Sequence, residues 1–97
     1  MNLTKLNALI QQGESQHLEL KTSTTQIKPA FNSVCAFLNN NGGFVVFGIK
    51  EDGTVIGQHV TDKTKLEIAN EIKKIEPNAQ ITVHYILLTN NLYIIVL

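Results

Sequence analysis

Four side chains that can transfer protons, bind cations or form ion pairs fall within one short stretch of the sequence. Residues 13–21 read GESQHLELK, which places Glu14, His17, Glu19 and Lys21 close together along the chain. In an extended strand, side chains alternate between two faces, so Glu19 and Lys21 share one face and two leucines share the other. Such a charged face is either ordinary solvated surface or part of a working site.

A third carboxylate, that of Glu51, follows the apolar segment FVVFGIK at 44–50. If this segment is a strand beside HLELK, the Glu51 carboxylate approaches those of Glu14 and Glu19. Three converging carboxylates repel one another unless a cation lies among them, and such oxygen clusters bind Mg²⁺ or Mn²⁺. A metal there can position water for attack on a phosphodiester, with Lys21 stabilising the phosphate charge. The alternative is a solvated Glu19–Lys21 pair worth under about 1 kcal/mol, with Glu51 as a turn residue.

All eight strongly basic residues are lysines, since the chain has no arginine. Eight Asp and Glu residues balance them, so the net charge is zero. Without the bidentate arginine fork, readout of guanine edges is not expected, whereas lysine neutralises phosphate as a point charge. Lys21, Lys28 and Lys50 stand near the ends of elements that should lie close together, and Asn41 adds a side-chain amide. These groups bind phosphate and sugar but discriminate sequence weakly. They predict a nucleic-acid-binding face formed by local lysine clustering.

The elements that must position these side chains follow from apolar periodicity, in the predicted order α-β-α-β-β-α-β-β. Helices are predicted over residues 2–12, from Pro29 to the NNN run, and from Thr61 or Asp62 to the residue before Pro77. The predicted strands are HLELK, FVVFGIK, TVIGQ, QITVHYILL and LYIIVL. Helices separated by hairpins favour an α+β fold, with a mixed sheet of about five strands and three helices packed on it.

Apolar stripes predict which helical side chains face the core. The stripe of the second helix is Phe31, Val34, Cys35 and Leu38, and that of the third is Leu66, Ile68, Ala69, Ile72 and Ile75. Cys35 is therefore interpreted as a packed thiol rather than a nucleophile. Lys73 and Lys74 are interpreted as a solvated face of the third helix.

The length of 97 residues favours one domain over residues 1–97, and 43% hydrophobic with 16% charged residues indicates a globular chain. A single cysteine gives no internal disulfide, and no apolar run reaches the roughly 18 residues of a membrane span. A cytoplasmic protein is expected. The chain ends within the apparent strand YIIVL, so we expect the N-terminal part of a longer polypeptide. No GxxxxGK[ST] loop supports nucleotide hydrolysis.

Four segments in a fixed order carry a resemblance to a known family: GESQHLELK, VCAFLNNNGGFVVFGI, KEDGTVIGQ and the helix before Pro77. Together they resemble the Schlafen-type AlbA-like domain, described as a DNA-binding domain of bacterial transcriptional regulators. The resemblance covers roughly residues 12–97. It implies an α+β fold and a role connected with nucleic acid.

The resemblance also implies a possible catalytic set, because related paired modules of animal Schlafen proteins form a nuclease with three carboxylates. In this chain those positions fall on Glu14, Glu19 and Glu51, with Lys21 alongside. Two features depart from the family pattern: Lys50 and Glu51 stand where paired aspartates are usual, and only one module is present.

Three hypotheses follow, in order of preference. The first is a weakly sequence-specific DNA-binding module of a transcriptional regulator, which contacts the backbone through Lys21, Lys28, Lys50 and Asn41 and needs no cofactor. The second is a metal-dependent endoribonuclease, in which Glu14, Glu19 and Glu51 bind Mg²⁺ or Mn²⁺. The third is a homo-oligomerisation or partner-docking domain that uses an open sheet edge.

Overall fold

The computed structural model describes residues 1–14, 17–39, 42–75 and 80–97. Within them lie α1 (Leu3–Gln11), β1 (Leu18–Lys21), a 3₁₀ turn (Thr24–Gln26), α2 (Ile27–Asn39), β2 (Phe44–Phe47), α3 (Asp62–Lys73), β3 (His84–Leu87) and β4 (Tyr93–Val96). These helices and strands confirm the predicted α+β class. No helix in this described part of the chain is long and apolar enough to cross a membrane.

The sheet is mixed, with the strand order β1-β2-β4-β3. β1 and β2 run parallel, while β4 pairs antiparallel with both β2 and β3. Parallel neighbours need a crossover connection, which α2 supplies. The C-terminal ends of β1 and β2 therefore meet at the same edge of the sheet. β1 and β3 are its outer strands, and self-association through either of them stays a prediction.

The predicted strand TVIGQ at 54–58 is wrong, and the described sheet has four strands rather than about five. Residues 54–58 form only isolated bridges, one from Val55 and one from Gln58. The reason lies in two glycines, because Gly48 has φ 100° and Gly57 has φ 73°. The Gly48 carbonyl accepts hydrogen bonds from two successive N–H groups, the second being that of Gly57 at 2.8 Å. Two successive N–H groups on one carbonyl form a bulge, and a bulge interrupts the regular hydrogen bonding between two strands.

Each face of the sheet carries its own apolar cluster. On one face, α1 packs over the sheet through Leu6, Leu18, Leu20, Val46, Ile49, Ile94 and Val96. On the other face, α2 and α3 pack over it through Ala30, Phe31, Val34, Val45, Phe47, Ile68, Ile95 and Leu97. β2 contributes to both clusters, which confirms the prediction that FVVFGIK contains a central strand covered on both sides.

The charged face of β1 lies on the side of α2 and α3. Leu18 and Leu20 are buried in the α1 cluster, whereas Glu19 and Lys21 pair in register with strand residues of the opposite cluster. Directly opposed residues of neighbouring strands point to the same face of a sheet. Glu19 and Lys21 remain partly exposed, since β1 is the outermost strand.

The helix starts agree with the sequence. The Asn2 side chain accepts a hydrogen bond from the Lys5 N–H at 2.9 Å, and Thr61 forms a capping box with Thr64. Gly13, with φ 72°, follows the end of α1 as predicted. The predicted stop of the third helix at Pro77 lies outside the described residues.

The apolar stripe predicted for the second helix is partly wrong. α2 buries Ala30, Phe31 and Val34, whereas Cys35 is exposed and Leu38 keeps 39% of its surface accessible. Each helical residue is turned by about 100° from the one before it, so Cys35 points away from the line that passes through Val34. The interpretation of Cys35 as a packed thiol is therefore wrong.

The stripe predicted for the third helix is also too wide. Ile68 is buried, and Ile72 and Ile75 are partly buried against the α2 side of the core. Leu66 is 60% accessible and Ala69 is exposed. A helix at the margin of a four-stranded sheet contacts it along a narrower line than the apolar pattern suggested.

Candidate nucleic-acid interface and carboxylate cluster

The C-terminal ends of β1 and β2 bring two of the predicted lysines to one edge of the sheet. The Lys21 carbonyl accepts hydrogen bonds from the Gly48 N–H at 2.8 Å and the Ile49 N–H at 3.1 Å. Lys50 comes next in the chain and is exposed. The predicted neighbourhood of Lys21 and Lys50 is thus a consequence of parallel strand pairing.

Glu19 and Lys21 form an ion pair on the α2 and α3 side of β1. Lys21 Nζ lies 3.2 Å from Glu19 Oε1, with 17% of the Lys21 side chain and 28% of the Glu19 side chain accessible. A partly buried pair is less screened by salt than an exposed one. Lys21 therefore already has a carboxylate partner, with which a phosphate group would have to compete.

Glu14 approaches the same pair from the segment after α1. Burial raises the pKa of the Glu14 carboxyl, and the negative charge of Glu19 raises it further. A side-chain hydrogen bond with Glu19 acts in the same direction, and the more distant charge of Glu51 adds to it. The three predicted carboxylates are therefore near enough to influence one another, and Glu19 affects Glu14 more strongly than Glu51 does.

Glu14 also satisfies a backbone donor of the outer strand. The Leu20 N–H donates to the Glu14 carboxyl, which opposes the rise in pKa. Since Lys21 turns its carbonyl toward β2, its neighbour Leu20 turns its backbone groups toward the open side of β1. An acidic side chain at this position disfavours pairing between the free edge of β1 and a strand of another chain.

We expect Glu14→Gln to stabilise the fold at neutral pH by a small amount, below about 1 kcal/mol. Because the folded-state pKa is raised, ionising Glu14 costs more in the folded than in the unfolded chain. The cost appears as pH rises above the ordinary value of 4.5. The gain should therefore be present at pH 7 and absent at pH 3, measured by urea unfolding. Glu67→Gln on α3 is the matched control, and an equal gain at both pH values would contradict the account.

Glu51 stands in the tight turn that connects Lys50 to Thr54. The Lys50 N–H donates to the Thr54 carbonyl at 2.9 Å, and the Asp52 carboxylate accepts the Thr54 backbone N–H at 2.9 Å. Hydrogen bonds from the Thr54 side chain and backbone lower the pKa of Asp52. Asp52 thus stabilises the turn, whereas Glu51 has an exposed side chain.

The carboxylates form a pair with a third group further off. Among residues 1–14, 17–39, 42–75 and 80–97, no group of three or more His, Cys, Asp or Glu side chains is placed to hold a metal ion. Two carboxylates can still bind Mg²⁺ or Mn²⁺ when waters and substrate phosphates complete the shell. The predicted contact residue Asn41 lies outside the described residues.

Lys28 is not part of the β1 edge cluster. It lies in the first turn of α2, where its Nζ is 3.8 Å from Glu71 Oε1 on α3. Glu71 Oε2 also accepts a hydrogen bond from Lys74 Nζ at 2.6 Å. The structure therefore separates the predicted lysines into two places, with Lys21 and Lys50 in one and Lys28 in the other.

Gln58 is a positioning residue that the sequence did not indicate. Its side-chain oxygen accepts the Thr24 N–H at 3.0 Å, and its amide nitrogen donates to Thr24 Oγ1 at 3.1 Å. Its backbone exchanges two hydrogen bonds of 2.8 Å with Tyr93. Gln58 thereby fixes the segment between Lys21 and α2 to the start of β4. A glutamine beyond a Gly-rich hairpin has no sequence pattern that marks this role.

Comparison with known proteins adds one finding. A family model described as "Schlafen, AlbA_2" matches residues 14–97. This range includes the three candidate carboxylates, the three candidate lysines and strands β1 to β4. No curated protein matches the chain.

Proposed function

Because the chain belongs to the Schlafen AlbA_2 family, we propose that it is a nucleic-acid-binding module of a bacterial transcriptional regulator, with DNA favoured over RNA. The family membership is the observation that carries this proposal, since it suggests interaction with nucleic acid. The matched region spans the whole sheet and both helices that cover its second face.

The chemistry of the described surface supports contact with the nucleic-acid backbone. Lysine is the only strong cation, and Lys28 keeps 76% of its side chain accessible. Lys50 is exposed at the turn after β2, whereas Lys21 is held by Glu19. Lysine ammonium groups contact phosphates without reading base edges, so we propose weak sequence specificity.

The proposal predicts binding that depends strongly on salt. Titration of the chain against a mixed-sequence duplex and a single strand of equal length should give measurable affinity at low ionic strength. The logarithm of the duplex affinity should then fall linearly with the logarithm of salt concentration, with a slope of about −0.9 for each phosphate neutralised. Fluorescence anisotropy measures both quantities. Absence of binding to either strand form at low salt would overturn the proposal.

A metal-dependent endoribonuclease is the second candidate, and the observation that favours it is the proximity of Glu14 to Glu19, whose negative charge raises the pKa of Glu14. Two neighbouring carboxylates repel each other, and a divalent cation between them relieves that repulsion. Glu14 and Glu19 would hold the ion with Glu51 nearby, and the ion would supply activated water for phosphodiester hydrolysis. Lys21, at 3.2 Å from Glu19, would lie beside the phosphate.

A further inference from the structure

An open groove between the start of α2 and the second half of α3 holds a concentration of charged side chains. Its volume is about 540 Å³, and its polar lining consists of Lys28, Glu67, Asn70, Glu71, Lys73 and Lys74. Only Lys28 among these was predicted to contact nucleic acid. Lys73 and Lys74 were interpreted as a plain solvated helix face, because the sequence does not show that α2 brings a further lysine beside them.

Glu71 organises two of these lysines. Its side chain is only 15% accessible, while Lys28 and Lys74 are 76% and 63% accessible and both contact it. The hydrogen bond from Lys74 lowers the pKa of Glu71, and the charge of Lys28 lowers it further. An ammonium group has three donors, so each lysine keeps donors for another anion. The two long side chains are already held in place, which reduces the entropy that a ligand must overcome.

The groove and the edge formed by the C-terminal ends of β1 and β2 differ in the sign of their net charge. At that edge, four carboxylates (Glu14, Glu19, Glu51 and Asp52) outnumber two lysines. In the groove, three lysines outnumber two glutamates. A polyanion is repelled by an excess of carboxylates and attracted by an excess of ammonium groups.

We propose that the α2–α3 groove is the surface on which nucleic-acid phosphates dock, with Lys28, Lys73 and Lys74 as contact residues and Glu71 as the residue that positions two of them. The inference rests on the proposed nucleic-acid function and specifies where the backbone binds. It assigns Lys21 and Lys50 a smaller part, because their surroundings are net negative.

The first test compares two double variants that remove the same charge. Lys73→Gln with Lys74→Gln should weaken duplex binding at low salt about tenfold and make the salt slope shallower by about one for each lysine. Lys5→Gln with Lys63→Gln removes two exposed lysines outside the groove and should leave the slope nearly unchanged. Equal effects of the two double variants would overturn the groove as a specific site. Wild-type protein that binds neither duplex nor single strand would instead overturn the proposed function itself.

The second test separates positioning from simple charge. Glu67→Gln and Glu71→Gln each remove one negative charge from the groove. Glu67→Gln should strengthen duplex binding because it only relieves repulsion. Glu71→Gln should weaken binding twofold or more, because Lys28 and Lys74 lose the group that holds them. If both variants strengthen binding alike, the positioning role of Glu71 is wrong. Thermal unfolding of each variant verifies that the fold is retained.

Discussion

Replacing Phe47 by alanine is expected to lower the free energy of unfolding by about 3–5 kcal/mol. Phe47 has no accessible surface, lies in the central strand β2 and belongs to the cluster beneath α2 and α3. Removing the ring leaves a cavity between both helices and the sheet, which the surrounding side chains fill only partly. Since a domain of this size is stabilised by about 5–15 kcal/mol in total, the variant should lose a large fraction of its stability.

Urea unfolding followed by circular dichroism measures the loss, and Leu87→Ala provides the matched control. Leu87 lies on the outer strand β3 with 56% of its surface accessible, so its truncation should cost less than about 1 kcal/mol. Phe47→Leu retains most of the buried volume and should fall between the two. Similar losses for Phe47→Ala and Leu87→Ala would show that β2 is not the centre of the core.

The sequence predicted the elements that depend on local rules. The continuous apolar run at 44–49 indicated a strand covered on both faces, and β2 has that position. The caps at Asn2 and Thr61 act through short side-chain bonds to nearby backbone, so their residue types were sufficient. The hairpin of β3 and β4 follows from two apolar runs around an Asn-rich turn, in which Asn91 adopts φ 63°.

Features that depend on the packing of distant segments could not be predicted in the same way. Residues 54–58 alternate like a strand, but the backbone turn at Gly48 removes them from the sheet. An amphipathic pattern indicates the apolar side of a helix only to within about one residue, which is why Cys35 was placed on the wrong side. Tertiary packing decided both cases.

The candidate site also contains some features that local rules predict and others that depend on tertiary packing. Glu19 and Lys21 share a face because strand side chains alternate, and the pairing of β1 with β2 brings Lys50 near them. The partner of Lys28 could not be inferred, since Glu71 lies 43 positions later in the chain and on another helix. Sequence position therefore grouped three lysines that the fold divides between the edge of β1 and the α2–α3 groove.

Under the nuclease hypothesis, Glu19→Gln is expected to reduce Mn²⁺-stimulated cleavage of structured RNA at least about 100-fold. Glu19 forms an ion pair with Lys21 and its charge acts on Glu14, so its carboxylate connects the predicted metal ligands with the predicted phosphate contact. Glutamine keeps the size of the side chain and removes its charge. Glu67→Gln on α3 changes charge equally outside the cluster and should not reduce cleavage.

Binding of Mn²⁺ alone gives a second readout that does not depend on cleavage. An ion that binds only the folded chain should stabilise it by about 2.7 kcal/mol at one hundred times its Kd, and Glu19→Gln should abolish that gain. Because protons compete with the ion for carboxylate oxygens, the gain should also weaken as pH falls toward the ordinary carboxyl pKa of 4.5. RNA that stays intact with wild-type protein and Mn²⁺, together with unchanged thermal stability, would exclude the nuclease. Cleavage that persists in Glu19→Gln would place any activity elsewhere than at this carboxylate pair.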